Sequence, residues 1–125
     1  MPPGRTQYFD TCACLVTAST PMVATTAALH AHLTGRRIWI DLFRFDAARN
    51  ATLKVATLAS DDEWSFDNQR TYSVPNVTIL DGDVIATTCV YDTTSRAAPT
   101  RGGPSSSDEA RARLLACRRC IAVYT

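Results

Sequence analysis

Residues 36–45 constrain the fold of this 125-residue chain most, because they are apolar on both faces of a strand. Side chains alternate between the two faces of a β-strand. A strand covered on both faces belongs in the interior of a layered structure. We therefore expect residues 36–45 to form a central strand of a sandwich. One face carries Ile38, Ile40 and Leu42, and the other carries Trp39, Phe43 and Phe45.

Other short segments with strand-like composition lie on both sides of this one. Pro75 indicates that one of them is an edge strand or contains a bulge. Several short strands separated by turn residues are typical of an antiparallel β-sandwich or jelly roll, so the sequence predicts an all-β fold. The predicted strands are residues 23–33, 52–59, 71–80 and 84–91, and the predicted turns are residues 46–50, 60–63 and 81–83.

The composition fits one domain, since 46% of the 125 residues are hydrophobic. The net charge is +1, from 13 basic and 12 acidic residues, and gives no field that would attract nucleic acid. No apolar run approaches the length of a transmembrane helix, so no transmembrane segment is expected. The first ten residues also lack the basic and then apolar layout of a secretory signal peptide.

The two ends of the chain differ from the middle. Residues 1–21 show no clear period and are expected to form a surface lead-in segment tied down by a cysteine. The sandwich is expected to span residues 22–110, and residues 111–125 are expected to form a divergent tail. The sequence after Ser107 predicts a capped helix, because Asp108 and Glu109 precede a run of helix-forming residues.

His30 and His32 are the only histidines of the chain. Residues i and i+2 of a strand share a face, so both imidazoles are expected on one side of the predicted strand 23–33. Neutral imidazole suits zinc, copper, iron or nickel, and a third ligand is needed that no histidine remains to provide. The alternative is that both residues are ordinary half-exposed histidines on an edge strand.

Five cysteines are more than a small domain in a reducing compartment usually carries. Two cysteines separated by one residue rarely bridge each other, because such a short loop is strained, so more distant pairings are expected. The spacing of Cys117 and Cys120 also permits a zinc or redox role, but the second half of a zinc site and a thioredoxin-like context are missing. The disulfide candidates are Cys12, Cys14, Cys89, Cys117 and Cys120.

Two sequons, at Asn50 and Asn76, are candidate glycosylation sites. A glycan requires passage through a secretory compartment, which is also where disulfides form. Cysteines and sequons together therefore favour a secreted protein or one in the lumen of the secretory pathway.

Three blocks, in order, resemble the C-terminal domain of the copper type II, ascorbate-dependent monooxygenases, the dopamine β-monooxygenase-like family. Residues 30–37 resemble its H-T-H-L-x-G-[RK] strand. Residues 81–96 resemble its G-D-x-[IL]-x-T-x-C-x-Y-[ND]-[ST]-x-x-R block. Residues 100–109 resemble its G-G-x-[ST] block up to the acidic pair. The resemblance implies the second jelly-roll domain of a copper hydroxylase.

The resemblance implies that His30 and His32 are copper ligands, with ascorbate as the reductant of the full enzyme. It places the third ligand, a methionine, at Ala110, which cannot coordinate a metal. The cysteine expected to pair with Cys89 falls on Arg111. Met22 is the remaining thioether apart from Met1 and is a weak candidate ligand, because it lies eight residues before His30.

The resemblance also implies that dioxygen and a small molecule are the substrates, and that a second copper sits in an N-terminal domain absent from this chain. An arginine that binds peptide carboxylates in one branch of the family falls on Ala28 here. Two functions are therefore expected. One is the copper domain of a hydroxylase, present as a fragment of a longer protein. The other is a non-catalytic β-sandwich interaction module that has lost the methionine ligand.

Overall fold

A computed structural model describes residues 1–103, 105, 107, 108 and 121–124. Seven strands and one short 3-10 helix, Phe66–Asn68, lie in this part of the chain. The strands are β1 (Tyr8–Leu15), β2 (Met22–Leu29), β3 (Gly35–Asp46), β4 (Ala51–Asp61), β5 (Thr71–Ile79), β6 (Val84–Tyr91) and β7 (Ile121–Tyr124).

The strands form two antiparallel sheets, which we call sheet A and sheet B. Sheet A has the order β1-β6-β3-β4, and sheet B has the order β5-β2-β7. The predicted all-β antiparallel sandwich is therefore confirmed, and its description as a jelly roll stays a prediction. The central position expected for residues 36–45 is confirmed, because β3 lies between β6 and β4.

The hydrophobic core lies between the two sheets. Sheet A contributes one face of β3, and sheet B contributes small and branched residues of β2. The other face of β3 is only partly covered, since Phe45 is 57% exposed. The expectation that both faces of this strand are covered is therefore met at one face only. Ile38, Ile40 and Leu42 are fully buried and pack in one cluster with Ala24, Ala27 and Leu29.

Both ends of the chain contribute strands that the sequence pattern did not predict. The expected lead-in contains β1, which pairs with β6 from Tyr8 to Leu15. The expected tail contains β7, which pairs with β2. The predicted helix after Ser107 lies largely outside the described residues, and the domain boundaries at residues 22 and 110 stay a prediction.

The pattern of β1 is hard to recognise because polarity and burial do not coincide in it. Asp10 is half-buried, whereas Phe9 and Leu15 are 56% and 69% exposed. Alternation is present in burial but is hidden in hydrophobicity, which is the signal that sequence analysis uses.

Among the described residues no helix is long and apolar enough to cross a membrane.

An ion pair between half-buried Arg44 and buried Asp83 fastens β3 to the turn before β6. Asp83 is 1% exposed, and Arg44 donates to both of its oxygens, from Nε and Nη2, at 2.7 Å each. The backbone N–H of Leu80 donates to the same carboxylate at 2.8 Å. The hydrogen bond from Arg44 is the main cause that lowers the pKa of Asp83 below its ordinary value.

We predict that Asp83→Asn lowers the free energy of unfolding by about 2 kcal/mol at pH 7, because charged hydrogen bonds to a buried group are lost. Since the pKa of Asp83 is lower in the folded state, this stabilisation is present above the ordinary carboxyl pKa of about 3.9 and is lost as the pH falls through the folded-state value. The difference between parent and variant should therefore shrink below about pH 4 in urea titrations. Asp67→Asn, at an exposed position, is the control. A difference that stays constant down to pH 2 would contradict the prediction.

Candidate metal centre

The two histidines lie in the loop that carries the chain from one sheet to the other. Strand β2 of sheet B ends at Leu29, and strand β3 of sheet A begins at Gly35. The prediction that the strand continues to residue 33 is therefore wrong for its last four residues. Because β2 and β3 lie in different sheets, the chain turns between them. The Gly35 N–H donates to the His32 carbonyl oxygen at 3.0 Å and closes this turn.

The loop still holds the two imidazoles side by side. Their ring centroids are 5.1 Å apart, and the ring planes meet at 78°. His32 is 8% exposed, and His30 is half-buried. The i, i+2 spacing thus keeps the two rings together at one end of the sandwich, even though no strand geometry holds them there.

Hydrogen bonding to Gln69 determines which nitrogen of His30 carries the proton. Gln69 donates from Nε2 to the Phe66 carbonyl at 3.0 Å, which fixes the orientation of its amide. Its Oε1 therefore faces His30 Nδ1, at 2.6 Å. An amide oxygen only accepts, so Nδ1 is the donor, and Nε2 of the neutral ring is the unprotonated nitrogen.

The same logic applies to His32, with a different acceptor. Its Nδ1 lies 3.1 Å from the backbone carbonyl oxygen of Asp108. Because a carbonyl oxygen cannot donate, Nδ1 of His32 is also the protonated nitrogen. Both rings are thus set in the tautomer that presents Nε2 as an electron-pair donor. Hydrogen bonds of this kind at the second ring nitrogen orient histidine ligands in metal proteins.

Tight packing supports the loop from below. A Cβ added to Gly35 would lie 2.7 Å from the Ala31 Cβ and 2.9 Å from Cζ3 of Trp64. Only glycine allows this approach, and Trp64 is itself 3% exposed. Trp64 thus closes this end of the sandwich.

Arg36 and the segment after β6 hold the outer side of the loop. The Arg36 Nη1 donates to the carbonyl oxygens of Leu33 and Gly35, at 3.0 and 2.7 Å. The Asp92 N–H donates to the Thr34 carbonyl at 2.8 Å. The loop is therefore fastened on both sides of its turn, which leaves little freedom for the residues that carry the imidazoles.

Among the residues predicted for this site that the structure describes, the two histidines are brought together. No group of three His, Cys, Asp or Glu that could hold a metal occurs among the described residues. Met22 begins β2, whereas the histidines follow its end, roughly 23 Å away along the strand. Met22 is therefore not a ligand. Ala110 lies outside the described residues, but Asp108, two positions earlier, touches His32.

The other predicted site residues lie elsewhere. Cys12 and Cys14 are half-buried on one face of β1, and Cys89 is buried on β6. Cys117 and Cys120 lie outside the described residues. The two sequon asparagines are exposed, Asn50 in the turn between β3 and β4 with a φ of 48° and Asn76 in β5.

Comparison with known proteins shows the family. The sequence profile of the copper type II ascorbate-dependent monooxygenase C-terminal domain matches residues 1–112. Tyramine beta-hydroxylase of Caenorhabditis briggsae is 35% identical over 82 residues, which are 65% of this chain and 13% of the relative. DBH-like monooxygenase protein 1 of Homo sapiens is 42% identical over 82 residues, 65% of this chain and 12% of the relative. MOXD1 homolog 1 of Drosophila melanogaster is 28% identical over 116 residues, 87% of this chain and 16% of the relative.

The chain therefore belongs to the copper type II ascorbate-dependent monooxygenase family, and it corresponds to the C-terminal domain. It spans between 12% and 16% of the length of the relatives just described. The family uses copper and ascorbate. Two imidazoles that each donate a hydrogen bond from Nδ1 are a donor set that suits copper.

We predict that Gly35→Ala lowers the free energy of unfolding by about 2 kcal/mol, because the added methyl group overpacks the loop against Trp64. The Trp64 indole N–H has no acceptor among the described residues, so Trp64→Phe removes ring volume without removing a hydrogen bond. The double variant should therefore lose less stability than the sum of the two single variants, measured by urea unfolding. Strict additivity would show that the contact is unimportant.

Proposed function

We propose that this chain is the copper-binding C-terminal domain of a dopamine β-monooxygenase-like hydroxylase, and that His30 and His32 bind copper through Nε2. The observation that carries the proposal is the hydrogen bonding of the two rings. Each Nδ1 donates to an oxygen of another segment of the chain, so the unprotonated nitrogen is Nε2 in both rings. Ordinary surface histidines have no reason to be set in matching tautomers by two separate segments of the chain.

The third ligand is the point at which this chain departs from its family. Resemblance places a methionine at position 110, and the residue there is alanine. A thioether is a soft ligand that favours Cu(I), so its replacement by a methyl group should weaken Cu(I) binding. The contact between Asp108 and His32 supports an approach of this segment to the site, since position 110 follows two residues later.

The reaction of the full protein follows from the family. Copper held by His30 and His32 would supply the oxygen chemistry for hydroxylation of a C–H bond in a small-molecule substrate, with ascorbate as the source of electrons. The chain contains no histidine besides His30 and His32, so a second copper would require an N-terminal domain outside this chain. The residues described here contribute the walls and two ligands of one copper site.

Copper binding tests this proposal. Cu(I) affinity should fall by at least ten-fold in His30→Ala and in His32→Ala, measured by competition with a Cu(I) chelator. Leu33→Ala is the matched control, because Leu33 is exposed in the same loop and its side chain is 48% accessible. Affinities equal to the parent in both histidine variants would contradict the assignment.

Ala110→Met tests the position of the missing ligand. X-ray absorption of bound Cu(I) should show only nitrogen neighbours in the parent. The variant should show an added sulfur neighbour. The sulfur should also raise Cu(I) affinity, because thioether ligands prefer the reduced ion. An unchanged spectrum would place residue 110 away from the copper.

The alternative is a non-catalytic interaction module that keeps the fold. Ala110 and Arg111, which stand where the family has methionine and cysteine, favour it. This alternative predicts no ascorbate-dependent oxygen consumption when the chain is mixed with an intact N-terminal copper domain. Hydroxylation in that mixture would rule the alternative out.

We also propose that the domain works in the secretory lumen or outside the cell, with Cys12 and Cys14 bonded to Cys117 and Cys120. Strand β4 packs against β5, so β1 and β7 are the sheet edges on the opposite side of the sandwich. Cys120 directly precedes β7, and both N-terminal cysteines lie on β1. Exposure of Asn50 and Asn76 agrees with glycosylation in the same compartment.

Peptide mapping without reduction should find cross-linked peptides joining residues 12–14 to residues 117–120. Cys12→Ser and Cys14→Ser should each remove one cross-link, because the two cysteines have separate partners in this proposal. The reduced protein is the control. Cross-links between Cys12 and Cys14 alone would contradict the proposed pairing.

A further inference from the structure

The connection between β4 and β5, residues 62–70, forms one wall of the histidine loop. Trp64 packs beneath Gly35 and Ala31, and Gln69 accepts the hydrogen bond from His30. The Gln69 side chain is exposed, so burial does not hold it in place. Its position depends on the backbone on either side of it. The 3-10 helix precedes Gln69, and Arg70 follows it.

The two ends of this connection are tied together by three side chains. Asp61 is the last residue of β4, and Tyr72 is the second residue of β5. The Tyr72 hydroxyl donates to Asp61 Oδ2. Arg70 donates from Nε to the Tyr72 hydroxyl oxygen at 3.2 Å, and its Nη2 lies 3.5 Å from the same Asp61 oxygen. We call Asp61, Arg70 and Tyr72 the loop clamp.

Further contacts restrain the three residues of the loop clamp. Asp61 is 8% exposed, and its second oxygen accepts the Glu63 N–H at 3.0 Å. The Arg70 guanidinium also stacks 5.3 Å from the centre of the Tyr72 ring. Burial is the main cause that raises the pKa of Tyr72, so its hydroxyl stays a donor at neutral pH. Asp61 is thus a buried carboxylate whose two oxygens both accept hydrogen bonds, which restrains the groups that donate to it.

We propose that Asp61, Arg70 and Tyr72 are positioning residues that fix Gln69 against His30 and thereby keep the His30 proton on Nδ1. Arg70 is covalently next to Gln69, so a displacement of the guanidinium moves the amide that selects the tautomer. The proposal rests on the proposed function in one respect, since the importance of Nε2 comes from copper binding. The tautomer itself is a property of the metal-free protein.

Tyr72→Phe tests the proposal, because it removes the hydroxyl and keeps the ring. Long-range ¹H–¹⁵N NMR of the metal-free chain should find the parent His30 as the Nδ1–H tautomer, and the variant should show a several-fold larger Nε2–H population. Asp61→Asn, which keeps the side-chain size, should shift His30 in the same direction. Thr57→Val is the matched control, because it removes a hydroxyl donor to Asp41, at 2.7 Å, from the same strand β4.

The outcomes separate this proposal from a purely structural role. A merely structural clamp would lower the midpoint of urea unfolding in Tyr72→Phe and Thr57→Val alike and leave the His30 tautomer unchanged, which would overturn the proposal. A tautomer shift in Tyr72→Phe and Asp61→Asn alone supports it, and Cu(I) affinity should then fall about ten-fold. A tautomer shift in a chain whose parent binds no copper would support the positioning role and overturn the proposed function.

Discussion

The site depends on the passage of the chain from one sheet to the other within five residues, His30 to Thr34. So short a connection fixes the backbone at the end of the sandwich, because β2 and β3 are each held by neighbours in separate sheets. It also demands close packing, which Gly35 allows against Trp64 and Ala31. Two histidines placed in this loop therefore have few positions open to them. A longer connection would allow a wider range of distances between the two imidazole rings.

The chemistry of the loop is then decided by hydrogen-bond acceptors from distant parts of the sequence. Gln69 comes from the connection between β4 and β5, and Asp108 comes from the segment after β6. Each accepts a hydrogen bond from Nδ1 of one ring, so the proton stays on that nitrogen and keeps it from binding a metal. The two acceptors act on both rings in the same sense, so Nε2 is the donor atom on each. The loop brings the two imidazole rings together, and the two acceptors determine which nitrogen of each ring can bind a metal.

Most of the fold could be predicted because the pattern of apolar residues marks the strands that face the core. Residues 36–45, which are apolar on both faces, form β3, and residues 84–91, which alternate, form β6. Strand β1 escaped prediction because Phe9 faces solvent and Asp10 faces inward. The predicted end of β2 is four residues too late, because Leu33 continues the apolar pattern although the backbone has already turned.

The site could be predicted only as far as residues that are close in the sequence. The spacing of His30 and His32 indicates that their side chains lie together, and the resemblance to the family implies that they bind copper. The bond between His30 and Gln69 joins residues 39 positions apart, and no periodicity reports such a contact. The loop clamp likewise depends on where β4 ends and β5 begins.

Long-range ¹H–¹⁵N NMR during titration with Cu(I) tests the central claim most directly, because it reports each ring nitrogen of His30 and His32 separately. The account predicts that both Nε2 resonances shift together and saturate at one equivalent of copper, while both Nδ1 protons remain attached. A shift of either Nδ1, or of one histidine without the other, would contradict a copper site built from the matched tautomers of this loop.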